Sequence, residues 1–305
     1  MTGEGTQASP YIITSYDDLK EFSTDYSLMG NYLQLANDIN CKDYGNKFVW
    51  KTIRLKNQKQ GGHTYFDLNG HTIKNVSIAT NNYMFIDNEN HNTIAHISNG
   101  TLQNIYAYTA NGITNGHIDF NNVGISCDLS GMNNYSAFDQ TCCFHNCGVR
   151  IKSNTALGQT IISQNGGDSY LAGIIEDTDF IVDLKSGSLI KYNSGRNTVK
   201  NCRFTGKITQ WEHWVIADGY NINNIMDIDF SECVYTGSNS DWVVNQMYPF
   251  GGNVTSCVVD TTKIPSYEQS GGYFNFNGAI QATHDQIRTG SWLRSNNFEV
   301  VNVSE

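Results

Sequence analysis

The phrase Val-Lys-Asn-Cys-Arg-Phe at 199–204 recurs along the chain, and this repeat constrains the fold more than any other feature. Related phrases stand at 73–78, 97–102, 120–125, 144–149, 175–180, 230–235 and 254–259. Their fourth positions fall at 76, 100, 123, 147, 178, 202, 233 and 257. The step is close to two dozen in five cases, and it is longer from 147 to 178 and from 202 to 233. Such a step, kept over most of a chain, marks a solenoid whose turns stack on one another.

Within each phrase the first, fourth and sixth positions are apolar or small. One extended strand cannot point its first and fourth residues the same way. The third position must therefore carry a bend that resets the alternation. A single residue in the left-handed region does this, and Asn tolerates that region better than any side chain except Gly. Asn holds the place at Asn75, Asn99, Asn122, Asn146 and Asn201. With turns about 4.8 Å apart, these amides stand one above another and can bond along the stack. Each such bond contributes about 0.5–1.5 kcal/mol. Helical repeats would show apolar residues three and four apart over longer runs, and these phrases do not.

The pattern resembles the asparagine ladder of right-handed parallel β-helices, the fold of pectate lyases, phage tailspikes and many adhesins, over residues 65–264. The resemblance implies an all-β fold, a right-handed parallel β-helix (solenoid) with short helical caps at both ends. The expected division is a capping segment at 1–41, about eight to nine coils at 42–264, and a second capping segment at 265–305. Ser15 reads as the N-cap of a first helix with Leu19 and Phe22 facing inward, and Thr283 as the cap of a second, followed by Trp292 and Leu293. The opening stretch, from the Pro10-Tyr-Ile-Ile13 strand through Tyr32-Leu-Gln-Leu35 to Phe66-Asp-Leu-Asn-Gly-His-Thr-Ile73, is similar to that of GLUG-type β-helix proteins of bacterial surfaces and tailed phages.

A formal charge of −10 with no basic run argues against nucleic acid as a partner, because a phosphate backbone is bound by displacing its counterions with Lys and Arg. No apolar run is long enough to span a membrane, and the first residues lack the basic and apolar regions of a secretory signal. A chain made and kept in a cytoplasm until lysis is the expectation. Cys147, Cys202, Cys233 and Cys257 occupy the small inward slot that Val76 and Val123 fill elsewhere, so they read as buried hydrophobes suited to a reducing compartment. Cys142, Cys143 and Cys147 have no partner pair at zinc-site spacing, and neither metal nor cofactor is expected. His63, His71, His91, His96 and His117 are scattered without metal spacing and read as polar surface.

The two long steps place insertions near 164–168 and 210–220. The second is the richest in chemistry: Trp211, Glu212, His213, Trp214, Asp218 and Tyr220, with Trp242 and Tyr248 a coil further on. Aromatic faces beside carboxylates suit a sugar ring, although the same rings could pack beneath their own loop. Acids recur at Glu176, Asp177, Asp179 and Asp183 and at Asp227, Asp229 and Glu232. For an enzyme acting on polysaccharide the acids to test are Glu212, Asp218, Asp227 and Asp229, since glycosidases hold two carboxylates roughly 5–9 Å apart. Alternating acids are also what any outward polar face displays.

The leading expectation is a structural, non-enzymatic protein of a tailed-phage virion, a spike or fibre joined to other virion proteins and touching host surface polysaccharide. The resemblance adds a homotrimer. The alternatives are a polysaccharide depolymerase and a bacterial surface adhesin.

Overall fold

Bends in the left-handed region organise the chain. In the computed structural model, Asn99, Asn122, Asn146, Asp177, Asn201, Asn223 and Ser256 have φ between 50° and 57°, a region that short polar side chains reach at least cost. The alternation restarts after each bend, so that Phe120 and Val123 are both buried. The structure describes residues 1–298 apart from 26–27, 29–30, 46–49, 56–61, 79–84, 88–93, 108–111, 133–135, 139–141, 155–160, 165–172, 186–188, 193–196, 212–213, 217–218, 237–245 and 267–272.

The strands before and after the bends stack in parallel and in register. Before the bend, Ile97, Phe120, Phe144, Ile175, Val199, Asn221 and Val254 succeed one another as Cα partners. After it, Leu102, Ile125, Val149, Phe180, Phe204, Met226 and Val259 do the same. These first and second faces are joined through the bends into one 18-stranded sheet. A third face is built from a five-stranded sheet that includes Ile162–Gln164, Ile190–Tyr192, Trp214–Ile216 and Gln246–Phe250. Single bridges through Phe138 continue it to Thr114–Asn115, Ile86–Asp87 and Ile53–Arg54. The fold is a parallel β-helix with short helices at its ends.

Parallel sheets of this kind need both their inward rows filled and their backbone groups paired. Phenylalanines fill the interior, with Phe120 and Phe144 stacked at 5.2 Å and Phe180 and Phe204 at 5.1 Å. Burying one such ring contributes about 1.5–3 kcal/mol. Cys147, Cys202, Cys233 and Cys257 are buried as expected. The thiols of Cys147, Cys202 and Cys233 lie 3.5, 3.6 and 2.8 Å from carbonyl oxygens of Phe120, Ile175 and Ile208 respectively. Burial pushes the Cys147 and Cys257 thiols up to about 11.

Two phrases are out of register with the rest. Asn75 does bend, with φ 60°, but at the next corner. Its Nδ2 donates to Asn40 Oδ1 (2.8 Å) and its Oδ1 accepts from Asn104 Nδ2 (3.3 Å), a separate short column. The phrase at 230–235 is not a bend of the main column. Asp229 Oδ1 accepts from Ser231 N (2.9 Å) and Oγ (2.6 Å), making a tight turn, and the bend of that coil is Asn223. Its fourth position is then Asn224, a buried amide where Cys stands in neighbouring turns. Asn224 is accommodated because its Oδ1 accepts from Cys202 N (3.0 Å) and its Nδ2 donates to Val199 O (2.8 Å).

This moves the second insertion. The step from Cys202 to Asn224 is a short one and the step from Asn224 to Cys257 is the long one, so the extra length follows Asp229. Trp214–Ile216 and Tyr220–Ile222 contribute ordinary strands to the third and first faces instead. The main column itself holds as read for Asn99, Asn122, Asn146 and Asn201. Asn122 Nδ2 donates to Asn99 Oδ1 (3.2 Å), Asn201 Nδ2 to Asp177 Oδ1 (3.1 Å) and Asn223 Nδ2 to Asn201 Oδ1 (3.4 Å).

At the N-terminal end, helix α1 (Tyr16–Thr24) carries the expected capping box between Ser15 and Asp18 and buries Leu19 and Phe22. It stands beside the first strand of the third face, where Ser23 Oγ accepts from Arg54 N (3.0 Å) and so pairs an edge amide. At the C-terminal end, helices α2 (His284–Arg288) and α3 (Gly290–Ser295) follow the Thr283 cap. They fold over the outside of the second face, where Ile287, Leu293 and Phe298 cover Ile225, Val258 and Ala282.

Candidate functional site

The residues singled out for sugar chemistry are distributed over the three faces. Glu212, His213, Asp218 and Trp242, with the side chain of Trp211, lie outside the described residues. Trp214 and Tyr248 are Cα partners on neighbouring strands of the third face, both half-buried. Tyr220, 47% exposed, stands on the first face. Asp227 and Asp229 share the outward side of Ile225–Asp229 on the second face. The described aromatics therefore do not flank the described acids.

The second face nevertheless holds a compact cluster of ionisable groups among the described residues. Asp227 and Asp260 occupy successive rungs, each four residues after its bend, at Asn223 and Ser256. Their side chains point outward, yet only 1% and 0% of their surfaces are exposed because α2 lies over them. Buried carboxylates require partners. For Asp227 these are Arg203 Nη2 (3.4 Å) and Arg288 Nε (3.6 Å) at Oδ2, and His284 Nδ1 (2.7 Å) at Oδ1. Asp260 Oδ1 accepts from Thr262 N (2.9 Å) and Oγ1 (2.7 Å). Its Oδ2 is buried without a hydrogen-bond partner, 3.6 Å from His284 Nδ1. Ligand atoms of Asp227, Asp260 and His284 all lie within 4.8 Å of one another, a set able to hold a metal ion.

Neighbouring acids behave differently. At Asp229 burial works against the charge, but the Ser231 hydroxyl and amide, with Lys263 and Lys207, hold the carboxyl below its ordinary range. At Asp179, whose Cα partner is Arg203, burial outweighs the guanidinium and pushes the carboxyl up.

A second polar array runs along the outside of the first face. His63 Nδ1 lies 2.8 Å from His96 Nε2, and His96 Nδ1 lies 2.9 Å from Asp119 Oδ2. His145 continues the row, with Nε2 3.2 Å from Asp119 Oδ1 and Nδ1 2.9 Å from Glu176 Oε1. The Tyr32 and Tyr65 rings stack at 4.7 Å, and Tyr65 stacks on His96 at 4.8 Å. His63 and His96 are thus joined into a row, not scattered. His117, by contrast, is buried. Of the cysteines near this row, Cys142 points inward against Thr114 Oγ1 (3.3 Å), whereas Cys143 Sγ accepts from Ile174 N (3.4 Å), so the pair faces two directions.

Neither array was visible as a motif, because each member comes from a different turn of the solenoid and is far from the others in sequence. The signal that finds them is distance from the bend. His96 and Asp119 each precede their bend by three residues, His145 and Glu176 each precede theirs by one, and Asp227 and Asp260 each follow theirs by four.

No family model matches the chain, and no curated protein matches it. A solved structure similar to it is that of a "putative immunoglobulin A1 protease" from Bacteroides ovatus, with 14% identity, a TM-score of 0.46, and coverage of 100% of this chain and 95% of that one. The assignment of the fold rests on the strand register of this chain alone. No helix among the described residues is long and apolar enough to cross a membrane.

Proposed function

We propose that the chain is a non-enzymatic structural rod, a virion spike or fibre of the tailed-phage kind, that meets surface polysaccharide along its third face. The observation that carries this reading is the fate of the described acids. Asp227 is enclosed by Arg203, His284 and Arg288, and Asp229 is engaged by the Ser231 turn. A hydrolytic pair needs two carboxylates open to one sugar, with room for a water or a glycosyl intermediate between them. Carboxylates already committed to the protein's own turns and helices serve the fold.

The half-buried Trp214 and Tyr248, one rung apart, supply ring surface of the size that saccharides meet. Assembly into homotrimers and attachment to other virion proteins belong to the same proposal.

The test has two arms. Incubation with capsular and cell-wall polysaccharides is expected to release no reducing ends and no unsaturated uronate; cleavage that Asp227→Asn or Asp229→Asn abolishes would overturn the reading. Co-sedimentation with the same polysaccharides is expected, and Trp214→Ala with Tyr248→Ala is expected to weaken it at an unchanged melting temperature. A fall in melting temperature without loss of binding would show that the rings only pack.

A further inference from the structure

We propose that Asp227, Asp260 and His284 form a site for one divalent first-row cation of the zinc type, which fastens α2 to the side of the β-helix. The site is distinct from the saccharide-facing surface. It rests on four features of the cluster.

The first is convergence. Three side chains from three separate segments bring their ligand atoms within 4.8 Å of one another beneath a covering helix. The second is the way each carboxylate is oriented. Arg203 and Arg288 approach Asp227 Oδ2, and Thr262 approaches Asp260 Oδ1, so in both residues one oxygen is fixed by the protein and the other faces His284. Partners of this kind, holding the outer atoms of ligating groups, are what orient metal ligands in general.

The third feature is the unsatisfied atom. Asp260 is fully buried, and its Oδ2 has no hydrogen-bond partner although it faces the His284 ring. A buried anionic oxygen left unpaired is destabilising, and a cation at the meeting point removes that penalty.

The fourth is the donor set. One imidazole nitrogen with two carboxylate oxygens suits zinc, whose bonds to such atoms are about 2.0–2.2 Å long, which places tetrahedral donors roughly 3.3–3.6 Å apart. His284 Nδ1 and Asp260 Oδ2 stand at 3.6 Å. His284 Nδ1 and Asp227 Oδ1 stand at 2.7 Å, a hydrogen-bond distance. Entry of the ion replaces that proton and widens this one contact. The imidazole hydrogen at Nδ1 passes to Nε2 through solvent, which leaves the Nδ1 lone pair for the ion with no net change in protons, and water completes the coordination.

The consequence is mechanical. Asp227 and Asp260 lie on consecutive rungs and His284 begins α2, so one ion ties two turns of the solenoid to the C-terminal helices.

The experiment is calorimetric titration of the full chain with Zn²⁺, beside Asp260→Asn and His284→Gln. Wild type is expected to take up one equivalent more than either variant. Counting the difference removes zinc taken up elsewhere, such as by the His63–His96 pair. Saturating Zn²⁺ is expected to raise the wild-type melting temperature over EDTA by roughly 5 °C more than it raises that of Asp260→Asn. In EDTA, Asp260→Asn is expected to melt at or above wild type, since Asn keeps an acceptor for Thr262 and loses a buried charge. Equal stoichiometry in wild type and either folded variant, or a wild type that binds no zinc at micromolar concentration, would overturn the proposal.

Discussion

Asn201 tests the ladder most directly because both its bonds and its backbone are defined. Its Nδ2 donates to Asp177 Oδ1 at 3.1 Å, its Oδ1 accepts from Asn223 Nδ2 at 3.4 Å, and its φ is 53°. Asn201→Ala removes both bonds, at about 0.5–1.5 kcal/mol each. It also places a Cβ in the left-handed region without the local bonding that favours Asn, which costs about 1 kcal/mol more. The expected loss is roughly 2–4 kcal/mol. Asn201→Gly removes the same bonds but takes the bend freely, while its looser unfolded chain costs about 0.5–1 kcal/mol. Gly should therefore be the milder substitution, by up to about 0.5 kcal/mol. Urea midpoints followed by circular dichroism measure both variants, with the slope checking that the same surface unfolds. Should Ala prove more stable than Gly, or stay within about 0.5 kcal/mol of wild type, the bend would not be what sets the repeat.

Phe204→Ala deletes a fully buried ring stacked on Phe180 and should lower stability by about 3–5 kcal/mol in the same assay. Gly206→Ala should be nearly as damaging, by about 1–3 kcal/mol or more, because φ there is +109° and the added Cβ would run into the Val182 carbonyl oxygen. Asp179→Asn should stabilise the protein at neutral pH. The folded carboxyl titrates above its ordinary value, so its favourable contribution exists only at lower pH and is lost as the pH rises through the raised value. The advantage of the variant should accordingly vanish near pH 3, and melting curves at pH 3 and pH 7 decide the matter. With the Cys147 and Cys257 thiols pushed up to about 11 by burial, alkylation at about pH 8 should be slow on the native protein and rapid in denaturant; mass spectrometry of the labelled peptides reads this.

The architecture was legible because its bend demands a residue type. Asn at 99, 122, 146 and 201 announced both the period and the inward rows, and the Ser15 capping box announced α1. The misreadings share one origin. Asn75 satisfies the same backbone demand at another corner, so identity alone could not tell the two columns apart. Around Glu232, apolar residues flank an acid in a turn that imitates the phrase, whereas the true bend at Asn223 is followed by a buried polar Asn224 that does not resemble it. That displaced register also concealed the Asp227 and Asp260 pair, which are equidistant from their bends only when Asn223 is one of them. His284 reaches them from the far end of the chain, well beyond Asp227 in sequence, and no local pattern encodes such a meeting.

Asp177 holds one place in the ladder with a side chain that has no N–H to give. Each amide bond in the column runs from a later turn to an earlier one, and Asp177 can receive from Asn201 but passes nothing on to Asn146. The amide bonds therefore run in two lengths, Asn122 to Asn99 and Asn223 through Asn201 to Asp177, with Asn146 between them. What spans the interval is main-chain pairing, Gly148–Ser153 against Asp179–Leu184, so those turns are held by the backbone where others also share side chains.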